Sequence, residues 1–160
     1  MDVRSRYIAA AACVLLLAGC SIGSSSTFSL NNATVDQGYT CPVGAKALQY
    51  ELHGTIDAHN GTSNTVTISA VTATMTLAAV KGGWLQKVGD KFDAGNVNYA
   101  PTSIGPGSSA TIDVAIPSAC TGRAAGSPAA WGDYAVTFAI TSSAGRFKLD
   151  SQNKHRIVTA

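Results

Sequence analysis

The stretch Tyr134-Ala135-Val136-Thr137-Phe138-Ala139-Ile140-Thr141 decides the fold class. Its large residues recur at every second position, with Ala and Thr between them. In an extended chain successive side chains point to opposite faces, so Tyr134, Val136, Phe138 and Ile140 line one apolar face. A helix would scatter the same four around its axis. The segment is therefore a strand with one face in a core.

The same period runs outward in both directions. Leu48, Tyr50 and Leu52 alternate with Gln49, Glu51 and His53. Val66 and Ile68 alternate with Thr65, Thr67 and Ser69, and then Ala70-Val71 breaks the phase. Val71, Ala73, Met75 and Leu77 continue on the other parity, as a β-bulge or strand bend would make them do. Ile112, Val114 and Ile116 form another run, and Phe147 and Leu149 a short last one. Turn residues separate these runs. Asn60-Gly61 is the strongest hairpin signal, followed by Gly82-Gly83, Gly105-Pro106-Gly107 and Ser142-Ser143-Ala144-Gly145. The Ala-rich piece from Arg123 to Ala130 contains Gly126 and Pro128 and reads as a loop. About seven short strands with even turn spacing predict an all-β, antiparallel β-sandwich.

Composition fits this reading and excludes others. Charged residues are 12% of the 160, against roughly a quarter in ordinary soluble domains. Ser and Thr number 16 each, and β-branched or hydroxylated residues suit the outer faces of strands. Eleven Lys and Arg against nine Asp and Glu leave no nucleic-acid footprint. An apolar content of 46% excludes a disordered chain.

The first twenty residues carry an address. Arg4 and Arg6 precede a continuous apolar run from Ile8 to Leu17, about half of what a membrane-spanning helix needs. A basic start, a short apolar core and small residues describe a secretory signal. Leu17-Ala18-Gly19-Cys20, where that run stops, resembles the lipobox of bacterial lipoprotein precursors. The resemblance implies a signal peptide helix over 1–19, cleavage between Gly19 and Cys20, and a diacylglyceryl (palmitate-type) thioether on Cys20. The mature chain would then have 141 residues. Two or more acyl chains hold such a protein in a membrane, whereas one is marginal. Ser21, not Asp, follows the cysteine, which in a Gram-negative envelope goes with outer-membrane sorting. Residues 20–27 are the lipidated cysteine and a Ser/Gly-rich tether, with a span of roughly 15 Å over seven residues. The folded domain is 28–160.

This processing sorts the four cysteines. Cys13 leaves with the signal and Cys20 carries lipid, so Cys41 and Cys120 remain. In an oxidising compartment that pair reads as a disulfide. The alternative is a reactive or metal-binding thiol pair, although neither cysteine lies in C-x-x-C or beside a His.

A second resemblance concerns the domain. Gly132-Asp133-Tyr134-Ala135-Val136 resembles the F strand of immunoglobulin-like domains. In those a Tyr after a Gly at the E–F corner bonds back to nearby backbone, the tyrosine corner, a role this implies for Tyr134. The segment from Gly105 to Val114 is similar to the turn and strand E of bacterial immunoglobulin-like and fibronectin-III-like modules. It implies an immunoglobulin-like sandwich in which Cys41 precedes strand B and Cys120 lies in the E–F loop. Those regions share one pole, so the bridge differs from the B–F bridge of antibody domains.

Candidate sites are few. His53, Asp57 and His59 share one strand parity and have metal-ligating chemistry, but a straight strand spreads them over about 20 Å, so the expectation is no metal. Trp84 and Trp131, with Tyr39 and Tyr99, are a candidate ligand platform, since aromatic faces stack on sugars. The alternative has Trp131 capping the core and Trp84 covering an edge. Arg146, Lys148, Lys154 and Arg156, opposed by Asp150, either contact anionic headgroups and wall polymers or guard a solvated edge strand. There is no G-x-S-x-G, no H-E-x-x-H and no tight carboxylate pair, and the chain has three His and one Glu. The expectation is therefore no enzyme and no cofactor.

Together these readings describe a lipid-anchored bacterial lipoprotein, a non-catalytic binding or interaction module of the cell envelope. It would sit on the cell membrane or outer membrane, with its domain facing the periplasm or the exterior. Its partners would be membrane lipid through acylated Cys20 and an envelope protein or cell-wall polymer, not nucleic acid. A carbohydrate-binding module using the aromatics and a structural accessory subunit are the alternatives. An interaction module is expected to expose an edge strand or apolar patch near the Asn60 or Gly145 turns.

Overall fold

A computed structural model describes residues 27–159. The lipobox residues Leu17, Ala18, Gly19 and Cys20, the signal peptide, and all of the tether except Thr27 lie outside the described residues. Eleven strands follow in chain order: β1 (Phe28–Val35), β2 (Gly38–Cys41), β3 (Leu48–Asn60), β4 (Val66–Lys81), β5 (Lys91–Asn96), β6 (Asn98–Ala100), β7 (Ser103–Ile104), β8 (Ser109–Cys120), β9 (Ala130–Ser142), β10 (Gly145–Asp150) and β11 (His155–Thr159).

They form two sheets packed face to face. One has the order β1-β3-β8-β6, and the other β2-β11-β9-β4-β5, with β10 on β9 and β7 on β4. Lettered by position, these are A-B-E-D and A′-G-F-C-C′, the immunoglobulin-like arrangement. The fold class is the one the alternation predicts. The seven expected strands become eleven because the A, G and D positions each split and a C′ strand is added. Every pairing is antiparallel except β2 with β11, which is parallel.

Local chemistry explains the splits. Strand G breaks between β10 and β11, where Asn153 turns back to β1: its Oδ1 accepts from Val35 N at 3.0 Å and its Nδ2 donates to Val35 O at 2.6 Å. The phase break at Ala70-Val71 corresponds to a bulge just before it, a register shift against β9 between Ile68 and Ala70. It lets Ile68 and Val71 both reach the core.

The inward parities are those read from the sequence. Leu52, Ile56, Ile68, Val71, Met75, Leu77, Ile112, Ile116, Val136, Phe138 and Ile140 are all buried. Burying one such side chain contributes about 1.5–3 kcal/mol, so this interleaved set is the main source of stability.

Asn60-Gly61 does not make a hairpin. β3 pairs with β1 and β8, whereas β4 pairs with β5, β7 and β9, so the segment after Asn60 crosses between sheets. Asn60 is wholly buried and organises that crossing. Its Nδ2 donates to the carbonyls of Asn64, Ile104 and Gly105 at 2.8, 2.9 and 3.0 Å. Its Oδ1 accepts from Thr62 N and Oγ1. A tight hairpin lies instead at Ser143-Ala144, where Ser142 pairs with Gly145.

Two poles result. The first carries Phe28, which pairs with Asn60, and the turns around residues 61–65, 105–108 and 143–144. The second carries the loops 42–47, 82–90 and 121–129. They are joined by Gly44 N to Arg123 O at 2.8 Å, Gly122 N to Ala45 O at 2.9 Å and Arg123 Nη1 to Gly83 O at 2.8 Å. Cys41 and Cys120 are disulfide-bonded there. Cys120 is the last residue of β8 rather than part of the following loop, and Cys41 is the last residue of β2. The bridge therefore ties the two sheets together at the second pole.

Candidate functional site

The second pole is built from the loops that follow β2, β4 and β8. Gly82 has a φ of 78°, a conformation that favours glycine and turns the chain back after β4. Trp84 then folds onto β9. Its ring occupies the space above Gly132, where an added Cβ would lie 2.7 Å from Cε2. Only glycine at position 132 admits the indole at this depth.

A three-residue latch holds the loop in place. Trp84 Nε1 donates to the Tyr134 hydroxyl at 3.3 Å, and that hydroxyl donates to Gln86 Oε1. Burial pushes the Tyr134 phenol upward, with Asp90 adding to the effect, so it remains a donor at neutral pH. Tyr134 is therefore not a tyrosine corner. Its hydroxyl is taken by side chains of the long 82–90 loop instead of by nearby backbone, because that loop arrives directly over the ring.

Beside the latch a cavity of about 470 Å³ opens between the sheet ends, within the roughly 300–1,000 Å³ range of ligand pockets. Trp84, Leu85, Tyr134 and Ile157 give it apolar walls, and Gln86, Thr121, Arg123 and Thr159 bring polar groups. A smaller recess of about 70 Å³ shares Gln86, Ala119, Tyr134 and Ile157 with it.

The surface around the mouth is unlike the rest of the domain. The large hydrophobics that stand exposed among the described residues are Val43, Leu48, Val80, Leu85, Val88 and Phe92. All six lie in the second pole's loops or within two residues of them, and Leu85 is 91% exposed. By the same measure this pole holds Lys46, Lys81, Lys87, Lys91 and Arg123 against Asp90 alone. The remaining described residues carry four basic and seven acidic side chains. Of the two features expected near the Asn60 or Gly145 turns, an edge strand or an apolar patch, the patch lies at the opposite pole. Near Gly145 the structure has an uncovered edge, β10, which pairs only with β9 and exposes Arg146, Lys148 and Asp150.

The aromatics do not form one platform. Trp131 alternates with the inward residues Ala130 and Gly132, so it lies on the outer face of β9, with the Arg156 guanidinium 4.1 Å over its ring. Trp84 is on the inner face, so it is Trp84, not Trp131, that caps the core. Tyr39 stacks on Tyr50 with centroids 4.0 Å apart. Tyr99 spends its hydroxyl on Ile68 O at 3.2 Å.

The other candidates also separate. His53 lies near Asp36 and Glu51, at 3.4 and 3.8 Å. Asp57 accepts from Asn32 and Thr111, and His59 Nδ1 lies 3.0 Å from Ser109 Oγ. Among the described residues no three His, Cys, Asp or Glu side chains converge. Arg156 forms a bidentate pair with Asp133 at 2.7 and 2.9 Å, which holds that carboxyl below its ordinary range. It is therefore not part of a free basic stripe with Arg146, Lys148 and Lys154.

Sequence reasoning missed His155. It is buried, with Nδ1 2.9 Å from the Asp36 carbonyl and Nε2 3.1 Å from the Tyr50 hydroxyl. The carbonyl can only accept, so Nδ1 carries the proton and Nε2 accepts from Tyr50. Burial pushes Tyr50 up to about 12 and His155 down. The available signal was parity: His155, Ile157 and Thr159 alternate as an inward face.

No family model and no curated protein matches the chain. Three solved structures resemble it at low similarity. The ASH/PapD-like domain of human CEP192 (PapD-like domain 7) is 15% identical, with 95% of this chain and 98% of that one covered and a TM-score of 0.38. The CooA pilin subunit from enterotoxigenic Escherichia coli is 13% identical, over 81% and 99%, at 0.32. The Vibrio cholerae VesB protease is 12% identical, over 81% and 32%, at 0.29. At these scores the likenesses carry no functional weight, and the fold rests on the strand order itself.

Proposed function

We propose that the protein is a membrane-anchored bacterial lipoprotein whose sandwich is a non-catalytic binding module of the cell envelope. The second pole is its binding face. The observation that carries this reading is the gathering of the cavity, the six exposed hydrophobics and five of the nine basic residues of the described chain at one pole. Large apolar side chains exposed together at one end of a domain mark interaction sites.

The lipobox-like Leu17-Ala18-Gly19-Cys20 supports the anchor. The topology supports an orientation. The chain enters the fold at Phe28, on the first pole, seven residues after Ser21 begins the tether. A short tether of that kind keeps the first pole toward the lipid and leaves the second pole facing away.

Fractionation and mass measurement test the anchor. The wild-type protein is expected in the membrane fraction, beginning at Cys20 and carrying acyl mass. Cys20→Ser is expected to lose the acyl mass and leave that fraction. An unmodified Cys20 in the wild type would remove the lipoprotein reading.

A further inference from the structure

We propose that the second pole binds an acidic, apolar peptide segment of a partner protein, with a large apolar side chain in the cavity and its flanking carboxylates on Arg123 and the surrounding lysines. This rests on the binding-module reading and specifies its ligand. Three observations converge on that chemistry.

The cavity is concave and half apolar. Trp84 and Ile157 form its walls and Leu85 its rim, while Gln86 and the Tyr134 hydroxyl are held by their mutual hydrogen bond. The site is therefore shaped before any ligand arrives, and a preformed recess loses less entropy on binding. A recess of about 470 Å³ has room for a large side chain, which a flat array of lipid headgroups does not present.

Arg123 stands at the mouth. Its side chain makes one hydrogen bond among the described residues, from Nη1 to Gly83 O. That bond fixes the guanidinium, and no carboxylate pairs with it among those residues. An anchored guanidinium with spare N–H donors suits a carboxylate.

Charge selects the sign of the partner. Five basic residues face one acidic residue at this pole, and that one, Asp90, is spent within its own loop on Lys87 N at 2.8 Å. The rest of the described domain has an excess of acidic residues. An anionic segment is thus drawn to this pole and repelled elsewhere. A neutral sugar would gain nothing from this asymmetry.

The test pans the full chain, purified as the cell makes it, against a random dodecapeptide library. Enriched peptides are expected to share a large apolar residue next to Asp or Glu. A synthetic consensus peptide should then lose about tenfold in affinity on Arg123→Gln, and similarly on Leu85→Ser. Its binding should also weaken as NaCl rises. Leu85 is exposed and Arg123 half-buried, so an unchanged urea midpoint and Trp84 emission are required of each variant before its binding is read. Three results overturn the proposal: no enrichment above the Arg123→Gln bait, a consensus without acidic residues, or retention on phosphatidylglycerol vesicles through Leu85 with no peptide selected. If panning fails but in-cell crosslinking from position 85 still captures a protein, the ligand class falls and the binding module stands. If both fail, both fall.

Discussion

Replacing Asn60 by Asp separates two accounts of the same dipeptide. If Asn60-Gly61 were a hairpin turn, Asp-Gly would serve nearly as well, and stability would change little. In the structure Asn60 is wholly buried, and its amide donates to three carbonyls while its oxygen holds Thr62. Asp keeps the acceptor but turns a second oxygen toward those carbonyls. Three lost bonds cost about 1 kcal/mol each. The Ile104 carbonyl keeps its place opposite Val66 in the β4–β7 ladder, so it is not left unpaired. Enclosing a carboxylate adds to this, so the expected loss is at least about 3 kcal/mol. Domains of this size have roughly 5–15 kcal/mol in all. Urea unfolding followed by tryptophan fluorescence and far-UV circular dichroism measures the loss, with Asn60→Ala as a neutral comparison expected to cost slightly less. A loss below about 1 kcal/mol for Asn60→Asp would refute the crossover account.

Three further outcomes follow from the structure. His155 is buried with its pKa lowered. The unfolded chain therefore takes up the proton first, and stability should fall as pH drops from about 6.5 toward the lowered native value; a urea midpoint flat across that window would contradict the burial of this imidazole. Cys41→Ser with Cys120→Ser opens a link across 79 residues of sequence and should cost up to about 4.5 kcal/mol on the chain-entropy model, read as a lower urea midpoint. Gly132→Ala places a methyl 2.7 Å from Trp84; the indole must leave, giving red-shifted emission and a loss of about 1–3 kcal/mol, while unchanged emission would mean that the indole does not sit above Gly132.

Much of the sandwich was legible in the sequence because strand faces are written in parity. The runs through Tyr134, Val66 and Ile112, and the slip at Ala70-Val71, map onto observed strands and a bulge between Ile68 and Ala70. The cysteine count predicts the Cys41–Cys120 bridge that forms, although Cys120 ends β8 rather than lying in the following loop. What the sequence did not reveal depends on contacts between distant segments. The Asn60 side chain meets Ile104 and Gly105 only after folding, so its dipeptide read as a local turn. Tyr134 lost its corner role because residues 84 and 86 return over it. Leu85, Val88, Lys87 and Arg123 lie in segments without periodicity, and nothing local brings those loops to one pole.

In the proposed orientation the pole carrying Leu85 faces a partner while the pole carrying Ala144 faces the anchoring membrane. A photocrosslinking amino acid placed in turn at positions 85 and 144 of the protein in living cells tests it directly. A discrete protein adduct is expected from position 85, and none or only lipid from position 144. Adducts from position 144 alone, or equal adducts from both, would contradict it.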